Sequence, residues 1–235
     1  TNFMVYTKVL KTASDLEIFN HLYKTEGGKD RTGYYVLGNN IDATDTDIFH
    51  NFGHDIAFTG TFDGQGYTIS NLNVSKTAVE STNKGKQATN PQAGLFGVIE
   101  GGCVKNVGFV NVNAQDGAVL GKAVFLNSNF GDDTLLQGKN GYFGSAFENI
   151  YIQVSSSVTQ MQGMLSTVAD KMHLTKDIVI EYNPTNPAQQ ANGYGSFIGA
   201  LNANHFNQEW TKSNVYVLSS VALGVVNNTA VVAGT

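Results

Sequence analysis

The stretch Asn149-Ile150-Tyr151-Ile152 decides the predicted fold, because its pattern recurs along the chain: Asn or Asp, an apolar residue, any residue, an apolar residue. Further copies start at Asn71, Asn106, Asp177 and Asn214, and a weaker copy starts at Asn40. The intervals between copies are irregular and range from 28 to 43 residues. The pattern therefore predicts stacked units with insertions between them, rather than a tandem array of identical modules.

A second short pattern precedes the first in four units and predicts another strand in each. It places two large apolar residues between small ones, at Gly94-Leu95-Phe96-Gly97, Gly141-Tyr142-Phe143-Gly144, Gly163-Met164-Leu165-Ser166 and Ser196-Phe197-Ile198-Gly199. Small flanking residues permit sharp bends at corners. Two strands per unit in constant order predict an all-β fold made from a coiled parallel sheet. A β-sandwich whose strands share this composition is the alternative.

The period of two in a strand assigns a direction to each side chain of the first pattern. We predict two inward columns, Leu72, Val107, Ile150, Ile178, Val215 and Val74, Phe109, Ile152, Ile180, Val217. The middle residues are predicted to face outward: Asn73, Gly108, Tyr151, Val179 and Tyr216. We expect the Asn or Asp that opens each copy to take a left-handed bend and to form a ladder with its stacked equivalents.

The N-terminal segment contains the only convincing helix. Thr12 or Ser14 can cap it, residues 14–17 match a capping box, and its apolar residues are Leu16, Phe19, Leu22 and Tyr23. Gly27-Gly28 is expected to end it. An amphipathic helix here is suited to cover the open end of a stacked sheet. We predict one elongated domain, with a strand and capping helix in 1–32, rungs with insertions in 33–220, and a tail or the start of a further segment in 221–235.

Composition and charge exclude several classes of protein. The chain has 26 Gly, 41% hydrophobic residues and only 14% charged residues, which favours a Gly-rich all-β body with a buried core. A net charge of −5 argues against nucleic-acid binding. No stretch approaches the roughly 20 apolar residues of a membrane span. The single cysteine, Cys103, excludes an internal disulfide and is expected to be a small buried or turn residue. The start at Thr1 and the apolar ending suggest a piece of a longer protein.

Part of the chain resembles a known family. The stretch Phe58-Thr59-Gly60-Thr61-Phe62-Asp63-Gly64-Gln65-Gly66-Tyr67-Thr68-Ile69-Ser70-Asn71-Leu72, with Gly94-Leu95-Phe96-Gly97 and Val104-Lys105-Asn106-Val107 after it, resembles the GLUG-motif family, named for Gly-Leu-any-Gly. The specific match covers 58–110, and the motif has decayed from 141 onward. The resemblance implies a right-handed parallel β-helix in a secreted or cell-surface bacterial protein, and a repeat that is not itself catalytic.

The long insertions are the predicted binding surface. Segments 75–93, 113–140, 155–162 and 183–195 each join an Asn-led strand to the next strand of the second pattern, so we expect them to leave from one corner. The first two contain the candidate ligand-binding residues Asn83, Lys84, Lys86, Asn127, Asn129, Asp132 and Asp133. Polar loops on a rigid scaffold suit a glycan or a protein partner, including neighbouring subunits of an assembly. Tolerated surface insertions are the alternative.

One acidic segment is a candidate metal site. Asp42, Asp45 and Asp47 lie close together, and His50 and His54 follow. Carboxylates are calcium ligands, but the segment lacks the Gly and the distal Glu of a twelve-residue calcium loop. A solvated turn is the alternative. No other cofactor is expected.

These observations predict a non-catalytic structural or adhesive module of a secreted, cell-surface or virion-associated protein. A phage fibre or capsid decoration protein is the first alternative, because such proteins are also Gly- and Asn-rich, cysteine-poor β stacks. A β-helix polysaccharide hydrolase or lyase is the second. Glycoside hydrolysis generally needs paired carboxylates, and the outward middle positions contain no acid, which argues against catalysis on that face.

Overall fold

The structure, a computed structural model, describes residues 5–20, 32–46, 58–74, 94–114, 120–124, 145–155, 166–169, 172–183, 198–201, 211–220, 225–226 and 229–230. Most of its elements are strands, as the all-β prediction requires. In chain order they are β1 (Lys8–Leu10), α1 (Ala13–Asn20), β2 (Tyr34–Leu37), β3 (Ile41–Asp42), β4 (Thr61–Asp63), β5 (Thr68–Ser70), β6 (Asn73–Val74), β7 (Gly97–Glu100), β8 (Cys103–Ala114), β9 (Gly121–Val124), β10 (Ser145–Val154), β11 (Ser166–Ala169), β12 (Met172–Tyr182), β13 (Ile198–Leu201), β14 (Thr211–Ser219), β15 (Val225–Val226) and β16 (Thr229–Ala230).

The strands form two parallel sheets. A long sheet of ten strands follows the path β1-β2-β4-β8-β10-β12-β14, with β3, β5 and β6 paired beside β8 or one another. A second sheet has the order β7-β9-β11-β13. From β7 to β14 the chain alternates between the sheets, since parallel neighbours need a crossover and each crossover here contains a strand of the other sheet. The remaining two strands, β15 and β16, pair antiparallel.

The two predicted inward columns are present from β8 to β14. Val107, Ile150, Ile178 and Val215 are neighbours in register, and so are Phe109, Ile152, Ile180 and Val217. The column members on β8, β10 and β12 are buried, whereas Val215 and Val217 on β14 are partly buried. The predicted direction of the side chains in these strands is therefore confirmed.

The predicted register of the first unit is wrong. Ile69, and not Val74, lies beside Phe109, while Asn73 pairs with Asn113. Leu72 therefore joins a third buried column with Val112, Val154 and Tyr182. The reason is that β8 contains a second left-handed residue, Asn111 (φ 54°), which is the true equivalent of Asn71. Gly64 is the residue opposite Asn106, where the carbonyl oxygen of Asn106 leaves no room for a Cβ.

The predicted left-handed bends are confirmed in the five full copies, whereas Asn40 of the weaker copy is not left-handed. Their φ angles lie between 52° and 60° at Asn71, Asn106, Asn149, Asp177 and Asn214. Asn and Asp tolerate this conformation better than other residues with a Cβ. Each bend shifts the alternation of side chains by one residue, so the residue directly before it faces outward and the residue directly after it faces the core.

The predicted side-chain ladder forms at this corner, but Asp177 splits it. Asn149 Nδ2 donates to Asn106 Oδ1 (3.0 Å), and Asn106 Nδ2 donates to Asp63 Oδ1 (3.1 Å). On the other side, Asn214 Nδ2 donates to Asp177 Oδ1 (2.9 Å). A carboxylate only accepts hydrogen bonds, so Asp177 cannot donate to Asn149. The same property makes Asp63 a natural end point for the first ladder.

A second ladder runs along the corner that contains Asn111. Asn111 Nδ2 donates to Asn71 Oδ1 (2.7 Å), and Asn71 Nδ2 donates to Asp42 Oδ1 (2.9 Å). Ser155 Oγ donates to Asn111 Oδ1 and extends the ladder by one strand. Both ladders therefore run towards a terminal aspartate on the N-terminal side of the sheet.

Helix α1 packs against the core next to the first strands. Thr12 is its N-cap: the Asp15 amide donates to Thr12 Oγ1 (3.1 Å), while Asp15 Oδ2 accepts from the amides of Lys11 (2.8 Å) and Thr12 (3.1 Å). These bonds, that from Lys11 first, lower the pKa of Asp15. The capping box is thus Thr12 to Asp15, and the prediction of residues 14–17 was wrong. The predicted stop at Gly27-Gly28 lies outside the described residues.

The buried face of α1 is held by aromatic packing and one hydrogen bond. The Phe19 ring lies 4.8 Å from Tyr35, 5.4 Å from Phe62 and 5.6 Å from Phe96. Asn20 is buried, and its Nδ2 donates to Leu95 O (2.9 Å). The helix therefore contacts residues of the long sheet and residues next to β7 in the second sheet.

Candidate functional site

The outward side of the long sheet, here called the outer face, carries a column of alternating charge. Asp63, Lys105, Glu148 and Lys176 are neighbours in register on β4, β8, β10 and β12. Opposite charges on neighbouring strands attract, whereas like charges would repel. The Glu148 and Lys176 side chains approach to 4.0 Å and remain 41% and 46% exposed. At that exposure the pair contributes little stability, so both groups are available to a partner.

A tyrosine cluster adjoins the first end of this column. The Tyr34 hydroxyl donates to Asp63 Oδ2 (3.2 Å), and the Tyr6 ring lies 5.5 Å from the Tyr34 ring. Burial raises the pKa of Tyr34. Burial alone would lower the pKa of Lys105, but the neighbouring Tyr34, Cys103 and Asp63 raise it overall. Tyr34 thus stays neutral and Lys105 stays charged at neutral pH.

A second group on the outer face combines aromatic rings with a carboxylate. The Tyr151 hydroxyl donates to Glu181 Oε2 (2.8 Å), and burial together with this bond raises the pKa of Tyr151. Val179 lies between Tyr151 and Tyr216 in register, so the two tyrosines are about 9.6 Å apart, two strand spacings. Tyr216 is 54% exposed and its neighbour Leu218 is 52% exposed. The group offers apolar surface beside hydrogen-bonding groups.

The predicted ligand-binding residues in the loops lie outside the described residues, and they stay a prediction. This applies to Asn83, Lys84, Lys86, Asn127, Asn129, Asp132 and Asp133. The expectation that 113–140 is one loop is wrong, because Asn113 and Ala114 belong to β8 and Gly121–Val124 forms β9. Residues 83–86 follow the long sheet, whereas residues 127–133 follow the second sheet. The two sets therefore do not leave from the same corner.

The missed strand β9 has a recognisable signal. Residues 118–121, Ala-Val-Leu-Gly, match the second pattern, and β9 pairs with β7 at Gly97 and Gly121. The copy at 141–144, which was assigned to this unit instead, lies outside the described residues. With that copy as the strand of this unit, the long insertion was predicted to precede the strand. The long insertion instead follows β9.

The candidate metal residues have another role where the structure describes them. Asp42 Oδ1 accepts hydrogen bonds from Thr44 Oγ1 (2.6 Å), Asn71 Nδ2 (2.9 Å) and Thr44 N (2.9 Å). These bonds lower the pKa of Asp42 to about 2. Asp45 occupies a left-handed turn position (φ 61°), and Asp47 lies outside the described residues. Within the described ranges, no three His, Cys, Asp or Glu side chains are grouped to hold a metal ion.

Cys103 is buried, as expected from its sequence context. Burial raises the pKa of its thiol to about 11, so the reactive thiolate is scarce at neutral pH. Lys105 lies close enough to oppose this shift, and Glu148 and Asp63 add to it. The environment is that of a structural cysteine rather than a nucleophile.

The charged column was missed in the sequence, although it left a signal there. Its members immediately precede the Asn or Asp of three copies, as Lys105-Asn106, Glu148-Asn149 and Lys176-Asp177. Only the middle position of each copy had been considered as outward, and that position contains no acid. Because a left-handed bend directly follows each charged residue, the charged side chain points to the outer face.

Comparison with known proteins identified no relative of the chain. No family model matches the sequence, and no curated protein or solved structure is significantly similar to it. In the described part of the chain, no helix is long and apolar enough to span a membrane.

Proposed function

We propose that the chain is a right-handed parallel β-helix, closed at one end by α1, which serves as a non-catalytic structural or adhesive module of a secreted, cell-surface or virion-associated protein. The observation that carries the proposal is the alternation of strands. The chain visits the second sheet at β7, β9, β11 and β13 and the long sheet at β8, β10, β12 and β14, and each sheet keeps that order in space. One strand per sheet per unit is the connectivity of a coiled parallel sheet.

The resemblance of residues 58–110 to GLUG repeats supports the handedness and the extracellular or surface location. The two Asn-rich ladders support the rigidity that such a module needs, because they link successive strands at the corners. Residues 33–220 would form the rungs, with 1–32 as strand and cap.

The outer face supports a binding role. Flat aromatic rings pack on the apolar faces of sugars, and carboxylates and amides accept or donate hydrogen bonds to hydroxyl groups. Tyr216 and Glu181 provide both kinds of group on adjacent strands. A glycan is therefore the favoured partner, and the polar loop residues predicted from the sequence are further candidate ligands.

A non-catalytic role is favoured by the placement of the acids on the outer face. Asp63 and Glu148 are two strands apart, about 9.6 Å, with the Lys105 position directly between them. An inverting glycosidase needs a water molecule between its two carboxyl groups. A lysine there neutralises the acids and occupies the space for that water.

Affinity electrophoresis with a panel of neutral and acidic polysaccharides tests the proposal, together with an assay for newly released reducing ends. We expect retardation by at least one polysaccharide without any release of reducing ends. Tyr216→Ala should weaken that binding about tenfold with unchanged melting temperature, whereas the matched control Tyr67→Ala, on an exposed turn, should not. Release of reducing ends would contradict a non-catalytic role. Binding that ignores Tyr216→Ala would move the site to the loops.

A further inference from the structure

A glycine interrupts the outer face in the middle of β8. In the register of the long sheet, Gly108 lies between Thr68 on β5 and Tyr151 on β10. Val179 and Tyr216 continue the same column on β12 and β14. Because Gly108 has no side chain, the column has a gap one residue wide, here called the Gly108 notch. The backbones of β5 and β10 on its two sides are about 9.6 Å apart, two strand spacings.

The backbone of β8 does not require a glycine at this position. The φ angle of Gly108 lies outside the left-handed region, and the register with β10 is continuous from Val107 to Phe109. Among the described residues, the atoms nearest to a Cβ added at Gly108 belong to side chains, with Thr68 Cγ2 at 3.0 Å and Tyr151 Cδ1 at 3.9 Å. At Gly64, by contrast, a backbone carbonyl oxygen occupies that place. Thr68 is partly exposed, so its methyl group can move to admit a Cβ.

A glycine that the backbone does not require points to a ligand. Glycine weakens the interior of a strand, because it loses more backbone freedom on folding than any other residue. It occurs there at bulges and sharp bends, or where another backbone or a ligand approaches closely. The regular register and the φ of Gly108 argue against a bulge or a bend, and its nearest described neighbours are side chains rather than backbone. The notch therefore fits a ligand group that lies directly on β8.

The two walls of the notch suit a sugar ring. The Tyr151 hydroxyl donates to Glu181 Oε2 (2.8 Å) on β12, on the side away from the notch, and this bond fixes the tyrosine ring before any ligand binds. A sugar ring over Gly108 would stand about 4.8 Å from Tyr151, one strand spacing, which is a stacking distance. On the other side, Thr68 Oγ1 donates to Asn40 Oδ1 (3.3 Å) and keeps its lone pairs for a sugar hydroxyl.

We propose that the Gly108 notch is a second sugar subsite; this rests on the glycan binding proposed above and specifies its ligand as a linear, neutral glycan. One sugar ring stacks on Tyr151 over Gly108, and another packs on Tyr216, three strand spacings or about 14 Å from Gly108. A single sugar cannot span this distance, so the ligand is a chain of linked sugars that crosses β8 to β14. Thr68 and Tyr151 are uncharged and the charged column beside them alternates in sign, so the notch favours neutral sugars.

Filling the notch tests the subsite. Affinity electrophoresis in gels that contain dextran, galactomannan or mixed-linkage β-glucan compares Gly108→Val with the wild-type chain. We expect at least one of these neutral polysaccharides to retard the wild type, and Gly108→Val to weaken that binding about tenfold because valine takes the place of the sugar. Its melting temperature should be equal or higher, since valine favours strands. Val9→Ile, which adds one carbon on β1 of the same face, is the matched control and should bind like the wild type.

The outcomes separate this subsite from the proposed function. A wild-type chain that no neutral or acidic polysaccharide retards overturns both. Retardation by acidic polysaccharides alone contradicts the neutral ligand and leaves the proposed function standing. Undiminished binding by Gly108→Val overturns the subsite alone. If Gly108→Val melts below the wild type, Thr68→Ala is combined with it to remove the close methyl contact, and the same loss of binding is expected.

Nuclear magnetic resonance locates the glycan on the sheet. Isotope-labelled wild-type protein is titrated with isomaltohexaose, mannohexaose and cellohexaose, and with the corresponding disaccharides. We expect one hexasaccharide to shift the amide signals of both Gly108 and Tyr216 and to leave that of Val9 unchanged. Its disaccharide should bind about tenfold more weakly, because it reaches only one subsite. Shifts at Tyr216 without Gly108, equal affinity of the disaccharide, or no shift at Gly108 with any hexasaccharide overturns the proposal.

Discussion

The two ends of the long sheet differ in how far the core is covered. At the first end, β1 is short and α1 packs Phe19 into a cluster of buried aromatic rings. At the last end, β14 is long, and its core-facing valines are only partly buried. A parallel stack has an open edge and an open core wherever it stops. In the described part of the chain, α1 covers the first end, whereas the core-facing valines of the last strand stay partly exposed.

Aspartate substitutions in one inward column give the largest contrast between covered and open positions. Ile152→Asp should cost about 4 kcal/mol in free energy of unfolding, because it buries an unpaired charge in the packed interior. Val217→Asp in the same column should cost less than about 1.5 kcal/mol, because water reaches the end of the core. Urea unfolding measures both. Equal losses would show that the last end is as closed as the middle.

Removal of the Phe19 ring tests the closed end. Phe19→Ala should lower the free energy of unfolding by about 3 kcal/mol, because the ring fills a buried space among Tyr35, Phe62 and Phe96. Ile18→Ala on the exposed side of the same helix should change it by less than about 0.5 kcal/mol. A small effect of Phe19→Ala in thermal and urea unfolding would mean that α1 does not hold the first strands.

The sequence pattern predicted the middle of the fold better than its beginning. The columns through Ile150 and Ile178 were predicted correctly because each of those strands has a single Asn or Asp bend, which sets the register. At Asn71 the prediction failed because β8 has two left-handed bends, and the pattern gave no reason to prefer Asn111 over Asn106. Register between strands depends on which bends stack, and that is a property of two segments together.

The break in the corner ladder gives a smaller effect, of stabilising sign. Asp177→Asn should supply a donor that reaches Asn149 Oδ1 while its own oxygen still accepts from Asn214. We expect a gain of about 1 kcal/mol in free energy of unfolding. Asp177→Ala should instead lose about 1 kcal/mol or more, because alanine neither bonds nor favours the left-handed bend. A destabilised Asp177→Asn variant would contradict a ladder that continues towards β14.

Thiol labelling tests whether Cys103, on β8 in the middle of the long sheet, is buried in the native protein. Burial raises the pKa of Cys103 to about 11, so at pH 8 only about one thiol in a thousand would be ionised. Native wild-type protein should therefore resist a thiol reagent at pH 8 and react once unfolded in urea. The raised pKa also means that the stability from this thiol is complete below pH 9 and is lost as pH rises towards 11. Rapid labelling of the native protein would place Cys103 at an accessible site.

The candidate site was less predictable than the core. The period of two located Tyr151 and Tyr216 on the outer face, but Glu181 and the charged column lie outside the four-residue pattern. Their contacts depend on strands about 30 to 40 residues apart in sequence, as the Tyr151 to Glu181 bond illustrates. Because the insertions differ in length, a fixed spacing in sequence cannot identify such neighbours. For the same reason, β9 was predicted to be part of a loop.

Successive units of the long sheet stack in parallel, with equivalent residues directly side by side. Methyl-to-methyl nuclear Overhauser effects in a deuterated, Ile- and Val-methyl-labelled sample measure this most directly. Parallel stacking predicts strong contacts from Ile150 to Ile178 and from Ile178 to Val215, and likewise from Ile152 to Ile180 and from Ile180 to Val217. Strong contacts from Ile150 to Ile180 and from Ile152 to Ile178, without the parallel set, would indicate antiparallel pairing and contradict it.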